Sequence, residues 1–332
     1  MAGERLVAVS YPVDQEYTKA NFEILGDDAE IVRTYELDAA GRARALRDAD
    51  ALLAWDLAEE IPAGALQRAG RLRFVQLLSA GVDAVDFTAL PERLTVACNA
   101  GAYAGAMSEH VLALTLSLAK HLPQRHAALA AGRYDKWLPA LVLDGSVCGI
   151  LGFGGVGAAT ARLMRAFGAR IHAVNRTGRT SETVEFVGTL ADLDQVLAAA
   201  DVLVVSLPLT LVTRGLLGRR ELSLMKPAAI LVNVARGAII DQRALYEHLS
   251  THPQFSAGID TWWDEPAGEG PFRTDYPFLG LPNVLGSPHN SSIVPGTMLA
   301  AARVAAQNVR RYLRGEAVTG VIRRADYQAG AR

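Results

Sequence analysis

Gly152-Phe153-Gly154-Gly155-Val156-Gly157 has the residue types and spacing to hold a pyrophosphate. It follows the apolar run Val147-Cys148-Gly149-Ile150-Leu151 and precedes Ala158 to Phe167, where Leu163, Met164 and Phe167 recur at helical spacing. In a strand–loop–helix of this kind the first glycine makes the tight turn. The second lets backbone N–H groups approach phosphate oxygens, and the third lets helix and strand pack closely. The helix then presents its N-terminus, the positive end of its dipole, to the anion. Glycine-rich turns are common; the strand before this one and the helix after it are what make it a dinucleotide loop.

The next apolar run, Arg170 to Val174, ends at Asn175-Arg176-Thr177. That is roughly 20 residues past the first glycine, where an acidic residue usually reads the ribose of NAD. Here the position is Asn, with Arg176 and Arg179 following. A carboxylate repels a 2′-phosphate, whereas a guanidinium binds one through a fork of donors. The loop therefore points to NADP(H) as preferred cofactor, with NAD(H) second. The rival reading is a solvated turn whose arginines face water.

The elements that must position this loop alternate strand and helix. Leu6 to Val9, Glu30 to Val32, Ala51 to Ala54, Phe74 to Leu77 and Thr95 to Ala97 read as short buried strands. A helical stretch from Ala104 to Ala131 carries Val111, Leu112, Leu114, Leu116 and Leu118. After the glycine loop, strands are expected at Ile171–Val174, Val184–Val187, Val202–Ser206, Ile230–Val234, Ser256–Asp260 and Val284–Leu285. A closing helix is expected over Pro295–Leu313. Strand–helix alternation of this length implies parallel sheets covered by helices, an α/β fold. The nucleotide domain reads as inserted into the first domain, to which the last helix returns.

The chain has 332 residues, half of them hydrophobic, enough for two domains with sizeable cores. A net charge of −2 with dispersed basic residues leaves no nucleic-acid footprint. Cys98 and Cys148 lie in apolar strand-like surroundings, as reduced core cysteines of a cytoplasmic protein do. Apolar stretches are short or broken by Gly and Pro, so no membrane span or signal peptide is expected, and no metal site.

These residues together resemble the D-isomer-specific 2-hydroxyacid dehydrogenase family. The resemblance covers nearly the whole chain. It rests on Ser79-Ala80-Gly81-Val82-Asp83, Asn99, Ser108-Glu109-His110, the glycine loop, Leu207-Pro208-Leu209 and Asn233-Val234-Ala235-Arg236-Gly237. It continues through Asp241, Asp260, Glu265-Pro266 and Ser287-Pro288-His289. It implies two Rossmann-like or flavodoxin-like domains: a discontinuous substrate domain, 1–100 with 288–332, and an NAD(P)-binding domain, 101–287. The implied activity is hydride exchange between NAD(P)H and a small 2-oxo acid, of the glyoxylate or hydroxypyruvate reductase kind. A homodimer is also implied, with the Ala104–Ala131 helix fitting a buried position.

The catalytic set the resemblance implies is Arg236, Glu265 and His289. Arg236 ends the Ile230–Val234 strand at the carboxyl edge where open α/β sheets bind ligands. Its fork of donors can bind a carboxylate and polarise the adjoining carbonyl. His289 is the expected acid/base, and Glu265 its partner, holding one tautomer and stabilising the imidazolium. Ala80 and Gly81 are expected to grip the substrate carboxylate through backbone N–H groups. Trp55 is expected to face the site and limit substrate size. Leu207, Pro208, Thr213, Ala235, Asp260 and His289 join the glycine loop as expected cofactor contacts, Asp260 at the carboxamide. A turn-capping aspartate is the rival reading of Asp260.

Departures from the pattern are Trp262-Trp263, the long Ala267–Phe278 segment and Asn290-Ser291-Ser292 after the histidine. The paired tryptophans are expected to narrow the pocket or pad an interface. Glu265 argues against formate dehydrogenase, which pairs its histidine with Gln. The alternative from another class is a dinucleotide-sensing binding protein or corepressor with little turnover.

Overall fold

The computed structural model describes residues 5–12, 15–266, 268 and 270–328, so Ala267 and Glu269 of the long segment lie outside the described residues. The chain divides into two compact units, one running to Tyr103 and resuming at Val294, the other Ala104–Ile293.

In the first unit β1 (Leu6–Val9), β2 (Glu30–Arg33), β3 (Ala51–Ala54), β4 (Phe74–Leu77) and β5 (Thr95–Ala97) form one parallel sheet in the order β2-β1-β3-β4-β5. All residues of β3 and β4 are buried, because helices cover both faces. On one face Phe74, Leu53 and Val9 pack against Ala302, Ala305, Ala306 and Val309 of the closing helix Thr297–Leu313. The alanines let that helix lie close to the sheet, so the end of the chain does return to the first unit. On the other face Leu52, Leu72, Val75 and Phe87 form a separate core.

The second unit carries β6 (Val147–Leu151), β7 (Arg170–Val174), β8 (Phe186–Gly188), β9 (Val202–Val205), β10 (Ile230–Asn233), β11 (Ser256–Ile259) and β12 (Val284–Gly286). Their order is β12-β11-β10-β9-β6-β7-β8, all parallel. The order reverses beside β6, which places the glycine loop at the switch point of the sheet, where ligands bind in such folds. Cys148 is fully buried in β6, and Cys98 is also buried; both are free thiols. No helix among the described residues is long and apolar enough to cross a membrane.

Four expectations change. The Ala104–Ala131 stretch is two helices, Ala104–Ala119 and Leu122–Ala130, broken at His121 (φ 51°). Pro123 sits in the first turn of the second helix; within a continuous one it would clash with the carbonyl one turn back. Only the first of the two buries side chains: Val111, Leu114 and Leu118 are in the core, and no residue of Leu122–Ala130 is buried. Phe167 is also outside the apolar face expected of it: it caps its helix and is exposed, leaving Ala161 and Met164 as the core contacts. The strand expected at Val184–Val187 is Phe186–Gly188, which pairs with His172–Val174. Finally, the second boundary between units falls after the Ser287–Ser291 loop, not at 287. That loop is hydrogen-bonded to Asp260 at the end of β11 and so belongs with the nucleotide unit.

Candidate active site

The glycine loop has the shape its sequence calls for. Gly152 lies at φ +92°, and a Cβ there would stand 2.6 Å from Ser206 O and Leu207 N at the end of β9. Ser206 Oγ donates to Gly152 O at 2.7 Å and holds the turn. At Gly157 a Cβ would stand 2.2 Å from Gly152 O, which is the close helix–strand packing expected of the third glycine. Gly154, by contrast, faces open space, and as N-cap of the Gly155–Ala166 helix it supplies no side-chain cap. The N–H groups of the first helical turn are thus left for an anion, and the loop fits a dinucleotide. Phe153 and Val156 are half-buried against the β6 core.

This geometry separates two substitutions. Gly157→Ala is expected to cost about 1–3 kcal/mol through forced backbone displacement, read as a lower urea midpoint. Gly154→Ala is expected to fold as well as wild type yet bind dinucleotide poorly, because its methyl would occupy the open cradle. Equal stability of the two variants would contradict this geometry.

Asn175 organises its own loop. Its Oδ1 accepts from the N–H groups of Thr177 (2.9 Å) and Gly178 (2.8 Å), and its Nδ2 donates to Arg179 O (2.8 Å). It folds the loop after β7 into an Asx turn, leaving Arg176 and Arg179 exposed. Past β9, Thr213 Oγ1 donates to Pro208 O (2.7 Å) and accepts from Thr210 N (2.8 Å), which shapes the loop that follows Leu207.

Arg236 follows β10 on a turn built by the fully buried Asn233. Asn233 Oδ1 accepts from Ala235 N (3.0 Å), and its Nδ2 donates to Arg236 O (3.0 Å). The guanidinium is half-buried, with Nη1 donating to Ala235 O at 2.7 Å. His289 and Glu265 meet as expected: His289 Nδ1 lies 2.7 Å from Glu265 Oε2, and Glu265 Oε1 accepts from Trp262 N at 2.7 Å. A carboxylate only accepts, so Nδ1 carries the hydrogen and Nε2 is the atom turned to chemistry. His289 itself sits at φ +51°, an uncommon backbone state for a residue with a Cβ.

Burial of Glu265 opposes its charge. Hydrogen bonds from His289 and the Trp262 N–H, with the positive charges of His289 and Arg236, outweigh that and hold its carboxyl below the ordinary value of 4.5. A carboxyl depressed in the folded state adds stability above its unfolded value, lost as pH falls through the folded one. The urea midpoint of wild type should therefore exceed that of Glu265→Gln at neutral pH, and the two should converge in acid. A difference that widens in acid would reverse this assignment.

Asp260 is fully buried beyond β11. Its Oδ1 accepts from Ser287 Oγ (2.6 Å) and Asn290 N (3.2 Å), and its Oδ2 from Ser291 N (3.3 Å). These are the contacts of the turn-capping reading. The paired tryptophans pack inward instead of narrowing a pocket: Trp262 Nε1 donates to Ser287 O (2.9 Å), and Trp263 stacks on Phe278 with Nε1 donating to Ile240 O (2.7 Å). Asn233, Ser287 and His110 stand in the motifs quoted above without a role; Asn233 acts within its own turn, whereas the contacts of Ser287 and His110 come from segments distant in sequence. No group of three or more His, Cys, Asp or Glu among the described residues could hold a metal ion.

Trp55, Ala80 and Gly81 lie on the first unit. Trp55 is 40% exposed and, with Ser79 and Gly81, lines a cavity of about 360 Å³ within that unit. Among the described residues the N–H groups of Ala80 and Gly81 have no hydrogen-bond partner.

The family model described as D-isomer specific 2-hydroxyacid dehydrogenase, NAD binding domain, matches residues 112–291. The chain belongs to the D-isomer-specific 2-hydroxyacid dehydrogenase family. It is 31% identical to the glyoxylate reductase of Thermococcus gammatolerans over 89% of this chain and 87% of that one. It is also 31% identical to the D-3-phosphoglycerate dehydrogenase of Methanocaldococcus jannaschii over 83% of this chain, spanning 52% of that longer protein. The solved D-isomer specific 2-hydroxyacid dehydrogenase of Xanthobacter autotrophicus Py2, in complex with NADPH and MES, superposes with a TM-score of 0.79 at 29% identity, covering 97% of this chain and 100% of that one. As a 2-hydroxyacid dehydrogenase the chain is an NAD(P)-dependent oxidoreductase, and its α/β fold with two parallel sheets agrees with that.

Proposed function

We propose that this dehydrogenase reduces a small 2-oxo acid to the D-2-hydroxy acid with NADPH, in the manner of a glyoxylate or hydroxypyruvate reductase. The observation that carries the reading is the 2.7 Å His289–Glu265 contact, which leaves Nε2 for the chemistry, while the Arg236 charge acts on the same Glu265 carboxylate. The nicotinamide, when bound, supplies a hydride to the carbonyl carbon, or takes it back in the reverse direction. Arg236 binds the substrate carboxylate and polarises the carbonyl. His289 Nε2–H gives its proton to the forming alkoxide, and Glu265 stabilises the imidazolium until that moment and holds the ring afterwards. The open N–H groups of Ala80 and Gly81 suit them to a carboxylate oxygen. Leu207, Pro208, Thr213, Ala235 and Asp260 belong to the proposed cofactor surroundings, Asp260 through the loop it caps as much as through the carboxamide.

NADPH is favoured because Asn175 organises the loop and no carboxylate stands where Arg176 and Arg179 are exposed. Arg176→Ala should raise the dissociation constant of NADPH about tenfold, the size of one charge-assisted hydrogen bond, and leave that of NADH nearly unchanged. Equal weakening of both would assign Arg176 elsewhere.

A homodimer is proposed from the segment after the helix break. Leu122, Leu129, Tyr134, Trp137, Leu138 and Val142 are all exposed, Tyr134 and Trp137 at 81% each. Apolar side chains so concentrated mark an association surface. Sedimentation should give twice the chain mass, and a concentration-independent monomer would remove the proposal.

The direct test is oxidation of NADPH and NADH, separately, against 2-oxo acids from glyoxylate and hydroxypyruvate to branched and aromatic members. Turnover favouring NADPH with small acids is the expected result. Tight dinucleotide binding with no turnover would instead favour the sensing protein.

A further inference from the structure

His110, on the Ala104–Ala119 helix, has no part in the chemistry above. Its Nε2 lies 2.9 Å from Ser287 Oγ and 3.5 Å from Asp260 Oδ1. Ser287 Oγ in turn lies 2.6 Å from Asp260 Oδ1. The proton order follows from valence. Asp260 as a carboxylate accepts only, so the single hydroxyl hydrogen of Ser287 points to it, and Ser287 must accept from His110 Nε2–H. The chain of donors runs His110 to Ser287 to Asp260.

Asp260 gathers the whole His289 loop. Its carboxylate takes the Ser287 hydroxyl and the N–H groups of Asn290 and Ser291, and its carbonyl accepts from His289 N at 2.7 Å. Four donors within five residues thus converge on one buried aspartate. Between them His289 is held at φ +51°, a left-handed state costing roughly 1–2 kcal/mol for a residue with a Cβ. Without those bonds the loop would relax toward ordinary backbone angles, and His289 Nδ1 would leave Glu265.

We infer that His110 and Ser287 are positioning residues that, through Asp260, lock the His289 backbone in the one conformation that joins its ring to Glu265. Neither touches the reacting atoms. His110 fixes the direction of the Ser287 hydroxyl, and Ser287 supplies the one side-chain donor to a carboxylate that water does not reach. The inference rests on the proposed acid/base role of His289 only for its kinetic readout.

The test uses the full-length chain with Ser287→Ala, Ser287→Thr, His110→Leu and His110→Gln. Threonine keeps the hydroxyl, and Gln places an amide N–H near the position of Nε2. Ser287→Ala and His110→Leu should lower kcat about tenfold or more with little change in KM, and Ser287→Thr and His110→Gln should recover most of it. Independently of turnover, the imidazole resonances of His289 in the cofactor-free protein should shift in the first pair and return in the second. His110 is partly exposed, so His110→Leu still reports should Ser287→Ala fail to fold. Wild-type kcat in both disruptive variants, or unmoved His289 resonances in a folded one, would overturn the inference. Should wild type turn over none of the 2-oxo acids while the resonances still follow the pattern, the proposed reaction fails and the positioning role stands.

Discussion

His289→Ala should lose about 10²–10⁴ of kcat, the span that a positioned general acid supplies, while dinucleotide still binds. Reduction of a 2-oxo acid makes an alkoxide at the moment hydride reaches carbon, and the proposed reaction assigns its quenching to His289 Nε2. Its other nitrogen is committed to Glu265 at 2.7 Å, so the ring cannot turn away without breaking that bond. Glu265→Gln offers a graded control. The amide oxygen can still accept from Nδ1–H, which keeps the ring in place, but the negative charge that favours the imidazolium is gone. The loss should therefore be smaller than for His289→Ala and fall on kcat more than on KM. Steady-state rates across pH, with cofactor affinity measured by fluorescence, give both numbers. Were more than about a tenth of kcat to survive His289→Ala, the proton would have to come from elsewhere.

Arg236→Ala should be at least as damaging in kcat/KM, by about 10³-fold, because the proposed reaction gives that one side chain two purposes. Losing one preorganised donor at a developing oxyanion typically removes 10²–10³ of rate, and losing the partner of the substrate carboxylate raises KM as well. Arg236→Lys separates the two. An ammonium keeps the charge but not the planar fork, so it should restore part of the binding and little of the rate. The turn that carries Arg236 is built by the Asn233 amide, so the backbone there should persist in both variants. If Arg236→Lys recovered wild-type kcat, simple charge would suffice and the bidentate role would be wrong.

The main features of the fold are written in local patterns. The bounds of every strand of the first sheet match the structure to within a residue, and the fully buried β3 and β4 are the clearest, because a parallel strand covered on both faces favours a continuous apolar sequence. The glycine loop is equally local: a turn, a close approach and a helix start all lie within six adjacent residues, and glycine is the residue each of the critical positions admits. The helix break at His121 was signalled by Pro123, although a run of apolar residues on either side reads as one helix.

Residue types and order thus determined the family and the two sheets, and singled out Glu265 and His289, which the fold brings into contact. Tertiary structure alone decided what Trp262 and Asp260 do with their polar atoms, whereas Asn175 spends its own on a local turn. Asn175 could have faced a ribose, but its own loop supplies three partners nearer at hand. Trp262 could have lined a pocket, but Phe272, Phe278 and the Ser287 carbonyl take both its ring and its N–H. Ser287 and His110 lie on segments far apart in the chain, so nothing in either neighbourhood marks them as a pair. A hydrogen bond is satisfied by whatever donor or acceptor the fold brings within about 3 Å, and a buried carboxylate such as Asp260 must collect its partners from wherever the packing delivers them.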